Sequence, residues 1–256
     1  YDFLQFLAEL SWASLAWHAP PVWASVLSCI SVFVVFTHPS KRLRWLASLG
    51  VLALFIPSGS KPSMGEFQAS FLDVGQGTSV VVQTSNHSLV YDTGPSHGTS
   101  NSAQRVVIPQ LFAQGIRRLD ALVISHRDDD HSSGLADLFV SHRPSHVYTS
   151  YQVQGLDTTL CRLGRSWVWD GVWFRFLYPF EAPTMQWTPG ANEDSCVLEV
   201  VDTQGRRLLL TGDIPVAVED EMAERMPWLQ QTSSSRGNTP LVMMAPHHGS
   251  RGSTSR

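Results

Sequence analysis

An apolar strand that ends in a dense cluster of acids and histidines is the feature that most constrains this chain. Residues 121–124 are Ala-Leu-Val-Ile, and the loop that follows contains His126, Asp128, Asp130 and His131 within six residues. Imidazole and carboxylate together suit zinc, manganese or iron rather than a structural thiolate site. A strand end is rigid and the loop beyond it faces solvent, so side chains there can reach a ligand. The spacing predicts a metal site rather than a polar loop with a chance excess of Asp and His.

The composition is typical of a folded protein. The 256 residues allow one full domain and a smaller one, and a hydrophobic fraction of 43% with 16% charged residues argues against disorder. The formal net charge is −4, so no overall basic surface indicates a nucleic-acid partner, although a local arginine stripe can coexist with a negative total. Cys29 lies in an apolar run, whereas Cys161 and Cys196 can pair only if the fold brings them together. The cysteines therefore do not determine the redox compartment.

Residues 1–63 differ from the rest of the chain and are interpreted as the end of a membrane domain. Two apolar runs, 22–36 and 45–57, flank Lys41, Arg42 and Arg44. Each run is shorter than the roughly 20 residues that span a bilayer comfortably, so two short helices of a soluble core are the alternative. We favour a membrane hairpin with the basic residues in its connecting loop. The positive-inside rule places that loop in the cytoplasm and all that follows on the outer side of the membrane.

Beyond a linker rich in Pro, Ser and Gly at 57–65, the pattern becomes α/β. Strands are predicted at 67–74, 79–84, 88–91, 121–124, 146–149, 196–201, 207–210 and 241–245, and helices at 102–114, 134–140 and 216–226. Residues 167–177 are predicted to form a hairpin with Asp170-Gly171 as its turn. The second domain is predicted to comprise 64–256 and to be truncated at its C-terminus.

Further acids and histidines follow other apolar strands. Asp92 comes after the strand at 88–91, Asp213 after that at 207–210, and His247 with His248 after that at 241–245. In a layered α/β fold, strand ends on one edge converge, and sites are built at that edge. Each signal alone is weak, because an Asp-Thr-Gly segment is a routine turn and a His pair can belong to a capped turn. Together with the cluster at 126–131, they predict one composite site.

This ordered set resembles the metallo-β-lactamase superfamily, whose pattern is an early Asp, an H-x-[HD]-x-D-H loop, a late Asp and a late His. The resemblance covers about 64–256 and implies an αββα sandwich, with two mixed β-sheets flanked by helices, preceded here by a short hydrophobic membrane segment. Two segments, Phe71-Leu-Asp73-Val-Gly-Gln-Gly77 and Pro246-His-His-Gly-Ser250, are similar to the C-terminal domain of the ComEC family of DNA-uptake channels. Asp128 at the second loop position is also the form found in that family.

The resemblance implies a site for two divalent metal ions, zinc or manganese. The implied ligands are, in chain order, His126, Asp128, Asp130, His131, Asp213 and His248, with His247 as the alternative to His248. The first two would bind one ion and the next two the other. Asp213 would bridge both ions.

Other residues would support this site. Asp92 would accept a hydrogen bond that orients a ligand histidine, Asp130 would be the catalytic residue that helps to hold or deprotonate the attacking water, and Gln76 would face the substrate unless it only forms a turn. The superfamily usually carries a further His between the central loop and the late Asp. Here Asn192 or Asp194 stands in that region, which leaves one ligand unaccounted for.

Two ions about 4 Å apart clamp a scissile phosphate and lower the pKa of a water, so the resemblance implies a metal-dependent nuclease or phosphodiesterase. The expected substrate is single- or double-stranded DNA, degraded during import in natural transformation. The expected partners are the membrane channel domain of the same protein and the competence DNA-uptake machinery, with this domain on the periplasmic side of the bacterial inner membrane. Two alternatives stay open: hydrolysis of another phosphodiester or ester, and a non-catalytic module that binds DNA or stabilises the channel with a degenerate metal site.

Overall fold

The computed structural model describes residues 20–56, 61–181, 192–229 and 241–245. The chain divides into two compact units, Tyr1–Ser60 with Gln110–Arg117, and Lys61–Pro109 with Arg118–Arg256. The candidate site belongs to the second unit.

The described part of the first unit is helical. It contains α1 (Val22–Thr37), α2 (Lys41–Gly50) and a short 3-10 helix (Val51–Phe55). Of the helices in 20–56 and the other described ranges, none combines the length and the apolar character that crossing a bilayer requires.

The position expected for the basic residues of this unit is wrong. Lys41, Arg42 and Arg44 do not form the connecting loop but the first turn of α2, and the loop is confined to 38–40. The reason is local: Ser40 adopts an extended N-cap conformation, and Lys, Arg and Leu are good helix formers that continue the helix from there.

The second unit is built mainly of strands. In chain order these are β1 (Gln68–Phe71), β2 (Val80–Gln83), β3 (Ser88–Tyr91), β4 (Ser96–His97), β5 (Ser100–Asn101), β6 (Ala121–Ile124), β7 (His146–Thr149), β8 (Thr159–Leu160), β9 (Ser166–Trp169), β10 (Val172–Tyr178), β11 (Val197–Val201), β12 (Arg207–Leu210) and β13 (Leu241–Met243). The helical elements between and after them in the chain are a π-helical turn (Ala103–Val107), α3 (Ile108–Ala113), α4 (Asp129–Ser132), α5 (Leu135–His142), a 3-10 turn (Asn192–Asp194), α6 (Val216–Arg225) and a second 3-10 turn (Pro227–Leu229). Residues 110–113 of α3 belong to the first unit.

The strands form two mixed sheets and one small hairpin. The first sheet has the order β1-β2-β3-β6-β7-β8, and the second has the order β13-β12-β11-β10-β9. In the first sheet β3, β6, β7 and β8 run parallel, so their carboxyl ends lie on one edge. In the second, β12 and β13 run parallel and the other pairs are antiparallel. The predicted mixed α/β sandwich is confirmed, and β4 with β5 is a hairpin that the sequence pattern did not predict.

A hydrophobic core joins the facing surfaces of the two sheets. Val82, Leu89 and Val123 of the first sheet pack in one cluster with Phe174 and Leu198 of the second. The strands β3 and β6 are buried along their whole length, which explains why their sequences are continuous apolar runs rather than alternating ones. On the outer face of the second sheet, α6 forms a separate apolar cluster through its own residues Val218 and Met222.

The strongest local signal in the sequence is confirmed by the backbone. Asp170 and Gly171 link β9 to β10 with φ angles of 52° and 85°, as the two central residues of a type I′ turn require. The Asp170 carboxylate accepts hydrogen bonds from the Thr84 hydroxyl (2.6 Å) and from the Asn86 backbone (2.7 Å) and side chain (2.9 Å), and it pairs with His87 Nδ1 at 3.1 Å. This carboxylate therefore ties the turn of one sheet to the β2–β3 turn of the other.

Asp170→Asn should lower the free energy of unfolding by about 2 kcal/mol at pH 7, because an amide cannot accept all these hydrogen bonds. Burial alone would raise the pKa of Asp170, but the hydrogen bonds from Thr84, Asn86 and His87 outweigh it and hold the pKa well below its usual range. A carboxyl whose pKa is lower in the folded than in the unfolded state stabilises the fold at any pH above its unfolded pKa, about 3.9. This stabilisation is lost as the pH falls towards the folded pKa. Urea denaturation from pH 7 to 3 should show the difference from wild type shrinking below about pH 4, whereas the exposed Asp157→Asn should show little difference at any pH.

Candidate metal centre

The candidate site lies where β3, β6 and β12 end. The chain leaves β3 at Asp92, enters the central loop from β6 at Ser125, and leaves β12 towards Asp213. Asp92 has a φ of 59°, a left-handed conformation that Asp tolerates better than most residues. These three strand ends bring together acids that are far apart in sequence.

His126, His131 and Asp213 form a buried cluster in which one ligand atom of each lies within 4.8 Å of the others. The two imidazole rings are 4.2 Å apart between centroids, and His131 Nε2 is 3.2 Å from Asp213 Oδ1. Among the described residues this is the group of His, Cys, Asp and Glu side chains suited to holding a metal ion.

Two half-exposed carboxylates stand at the open side of this cluster. Asp128 Oδ2 is 3.6 Å from His126 Nε2, and Asp130 Oδ2 is 3.9 Å from His131 Nε2. Each histidine of the loop thus has one carboxylate of the same loop beside it. The short helix α4 begins directly after Asp128 and carries the backbone through Asp130 and His131.

A buried hydrogen-bond network orients the His131 ring. Asp92 is fully buried, and its carboxylate accepts bonds from the Ser125 backbone (2.7 Å), the Ser125 hydroxyl (2.8 Å) and His131 Nδ1 (2.8 Å). Because Nδ1 is occupied in this way, the Nε2 atom of His131 faces Asp213. Nε2 is the atom that would bind a metal ion.

The same serine orients His126. The Ser125 hydroxyl has one proton and donates it to Asp92, so it must accept from His126 Nδ1, 2.9 Å away. His126 then carries its proton on Nδ1 and presents the lone pair of Nε2. That nitrogen is buried and has no hydrogen-bond partner within the described ranges.

The two histidines have pKa values shifted in opposite directions. Burial lowers the pKa of His131, but the Asp92 carboxylate and the hydrogen bonds to Asp213 and Asp92 outweigh burial and raise it to about 10. Burial and the positive charge of His131 lower the pKa of His126. The pocket thus favours a positive charge next to two acids, and a metal cation satisfies the same preference while releasing the proton.

The donor set fits a divalent transition metal. It combines two imidazole nitrogens with carboxylate oxygens, the mixture that suits zinc and manganese. Asn192, which the sequence leaves as one substitute for the usual middle His, also has a buried side-chain oxygen with no hydrogen-bond partner in the described part of the chain. The other candidate, Asp194, is half-buried, and burial raises its pKa.

Backbone contacts bring the remaining segments to the site. Gly212 has a φ of 58°, and a Cβ there would lie 2.9 Å from Cβ of Ser125 and 3.0 Å from Cβ of Ser195. Only glycine permits this close approach, which places Asp213 beside the central loop. The Asp213 backbone also donates a hydrogen bond to the Ser195 hydroxyl (3.3 Å).

Of the remaining predicted site residues, Gln76 lies within the described part of the chain and the late histidines do not. Gln76 is exposed, and its neighbour Gly77 packs so closely on the Asp130 carbonyl that a Cβ would lie 2.5 Å from that oxygen. His247 and His248 lie outside the described residues. Sequence reasoning assigned no role to Ser125, although its position between the apolar strand and His126 was the available signal.

The family model for the metallo-beta-lactamase superfamily matches residues 72–255. The chain belongs to this superfamily. The family predicted from the sequence is thereby confirmed, and membership indicates a metal-dependent hydrolase fold that binds divalent ions.

The curated relatives include one protein named for competence and one named for recombination. Competence protein ComA of Neisseria gonorrhoeae is 34% identical over 99% of this chain and 34% of its own length. Recombination protein 2 of Haemophilus influenzae is 31% identical over 77% of this chain and 23% of its own length. The chain thus spans about a third or less of these relatives. Among solved structures, a metallo-beta-lactamase of Cronobacter sakazakii with 14% identity has a TM-score of 0.44, covering 67% of this chain and 75% of that one.

Proposed function

We propose that this domain is a two-metal phosphodiesterase that degrades DNA during its uptake. The observation that carries the proposal is the buried cluster of His126, His131 and Asp213, with a carboxylate beside each histidine. Similarity to one protein named for competence and to another named for recombination supports DNA as the proposed substrate. The superfamily alone would leave the ester substrate open.

The proposed ligand assignment follows the distances. His126 with Asp128 would hold one ion, His131 with Asp130 the other, and Asp213 would contact both, with His248 or His247 completing the shell. Zinc or manganese in this site supplies a Lewis acid for the phosphate and a water of lowered pKa.

The chain's own residues perform the positioning. Asp92 and Ser125 lock both imidazole rings with their Nε2 atoms towards the cluster, so little reorganisation is needed during a reaction. Asp130 is half-exposed and adjacent to His131, where its carboxylate can accept a proton from an attacking water. Gln76 lies on the neighbouring loop and would contact the substrate.

The Cys161–Cys196 disulfide supports a location on the periplasmic side of the membrane. The bond joins two fully buried cysteines, and disulfides of this kind persist in oxidising compartments such as the bacterial periplasm. The proposed setting is therefore the outer face of the inner membrane, next to the channel domain of the same protein and the competence DNA-uptake machinery.

Incubation with labelled single- and double-stranded DNA and Mn²⁺ or Zn²⁺ tests the proposal. The wild type should cleave DNA and carry close to two ions per chain, and Asp130→Ala should lose at least about 100-fold in rate because general-base help is removed. Asp129→Ala is a matched control, since the Asp129 carboxylate is exposed and accepts hydrogen bonds from Ser96 instead. Equal cleavage by wild type and Asp130→Ala would contradict the nuclease assignment, and a chain without ions would favour the non-catalytic alternative.

A further inference from the structure

Arginine side chains lie along the same edge of the first sheet as the metal centre. Arg127 belongs to the central loop, while Arg162 and Arg165 follow β8. Because β6, β7 and β8 run parallel, their carboxyl ends lie on one edge. Adjacent strands are about 4.8 Å apart, so this edge extends about 10 Å from the metal centre to the end of β8.

The feature on this edge nearest the metal centre is an arginine side chain stacked on a tyrosine ring. The Arg127 guanidinium lies 5.7 Å from the centre of the Tyr151 ring, and Tyr151 follows the end of β7. The hydroxyl of Ser132, the residue after His131, donates hydrogen bonds to the backbone carbonyls of Arg127 (2.9 Å) and Asp128 (3.0 Å). The Arg127–Tyr151 pair is therefore fixed directly beside the ligand loop.

The second feature on this edge is a groove at the end of β8. A cavity of about 720 Å³ is lined by residues 162–166, which include both arginines, and by Phe180 and Glu181. Nε of Arg165 is buried without a hydrogen-bond partner among the residues described. A Cβ on Gly164 would meet nothing within 4 Å, so the backbone at this turn is open to a ligand.

Covalent and backbone contacts connect the groove to the metal centre. Cys161, which precedes Arg162, is bonded to Cys196, with 5.9 Å between their Cα atoms. Cys196 in turn donates a backbone hydrogen bond of 2.9 Å to Ser125, the residue before His126. The groove and the metal centre are thus neighbouring parts of one edge within the second unit.

The geometry points to a path for a single nucleic-acid strand along this edge, with its phosphates contacting Arg127, then Arg162 and Arg165. This inference rests on the proposed function, since it names the residues that would select a polynucleotide over a small diester. Arginine binds phosphate through paired N–H donors, and a stacked arginine–aromatic pair suits unpaired bases. One strand of a duplex rises about 3.4 Å per nucleotide, and an unpaired strand is at least as extended, so the distance from the metal centre to Arg162 corresponds to about three nucleotides at most. A one-phosphate substrate could not reach the groove.

Binding to a fluorescein-labelled 12-nucleotide DNA strand, measured by anisotropy with the metal-depleted full chain, tests the path without requiring hydrolysis. The double variant R162Q/R165Q should raise Kd about tenfold near physiological salt, since each lost phosphate contact raises Kd by about half a log unit there. The slope of log Kd against log salt should fall by about 1.4, or about 0.7 for each lost contact to a single strand. R143Q is the matched control, because Arg143 is an exposed arginine that precedes β7 at the opposite edge of the sheet.

A second measurement separates this inference from the proposed function. With metal bound, R162Q/R165Q should hydrolyse bis(p-nitrophenyl) phosphate at the wild-type rate and show a raised KM for the 12-nucleotide strand. Wild-type binding and salt dependence in R162Q/R165Q, or an equal loss in R143Q, would overturn the path even if the chain cleaves DNA. A loss confined to duplex DNA would also overturn it. If the wild type cleaves nothing but the two substitutions still weaken strand binding as expected, the path stands and the hydrolase assignment fails.

Discussion

Asp213→Asn is expected to lower kcat/KM for a phosphodiester about a thousand-fold and to leave the chain with fewer than two metal ions. The Asp213 carboxylate lies 3.2 Å from His131 Nε2, and Asp213 is only 4% exposed. Water or a dissolved anion therefore cannot replace the carboxylate in the variant. An amide keeps the volume but removes the charge. A metal ion's contribution to transition-state stabilisation is several kcal/mol, and about 4 kcal/mol corresponds to a thousand-fold.

Metal analysis by mass spectrometry and hydrolysis of bis(p-nitrophenyl) phosphate give two independent measurements of this effect. Asp220→Asn is the matched control, since it makes the same chemical change on an exposed position of α6. Circular dichroism checks that both variants fold. If Asp213→Asn retained two ions and full activity, the proposed bridging position would be wrong, whatever the substrate of the domain.

Much of this site could be predicted because its signals are local. The strands at 88–91, 121–124 and 207–210 were predicted from apolar runs, and the structure contains them with the same bounds. An acid directly after such a strand is visible in the sequence without any knowledge of packing. The Asp170-Gly171 turn was predictable for the same reason, since both residues tolerate positive φ.

The rest depends on contacts between segments distant in sequence. Gly212 reads as an ordinary turn residue, and its role follows only from the approach of Ser125 and Ser195 across the two sheets. Ser125 reads as a polar residue after a strand, and its role follows only from the meeting of Asp92 with both histidines. Neither meeting has a signature in local propensity.

The helix predicted at 102–114 shows a limit of another kind. Pro109 argued against regularity there, and the structure has a π-helical turn at Ala103–Val107 followed by α3. Pro109 comes two residues after the π-helical turn, inside one continuous helical stretch, where its missing N–H and its ring interrupt the regular i→i−4 hydrogen bonding. The residue was correctly read as an irregularity, but the kind of irregularity could not be predicted from it.

Removal of the Cys161–Cys196 disulfide is expected to have the largest effect on stability. The two cysteines are 35 residues apart, and closing a loop of that length in the unfolded chain corresponds to about 4 kcal/mol. The bond also joins the end of β8 in the first sheet to the residue before β11 in the second. It therefore holds the two sheets together close to Ser125, and its loss should loosen the metal centre as well as the fold.

The Cys161→Ala/Cys196→Ala double variant, compared with the wild type by urea denaturation with and without dithiothreitol, measures this contribution. The wild type should lose about 4 kcal/mol in reductant, whereas the double variant should be equally destabilised in both conditions. Cys29→Ala is the control, because Cys29 is an exposed free thiol and its removal should leave the response to reductant intact. If the urea midpoint of the wild type did not change with reductant and free thiols were detected at all three cysteines, the prediction of a stabilising disulfide would be wrong. The support that this bond gives to a periplasmic location would then be lost as well.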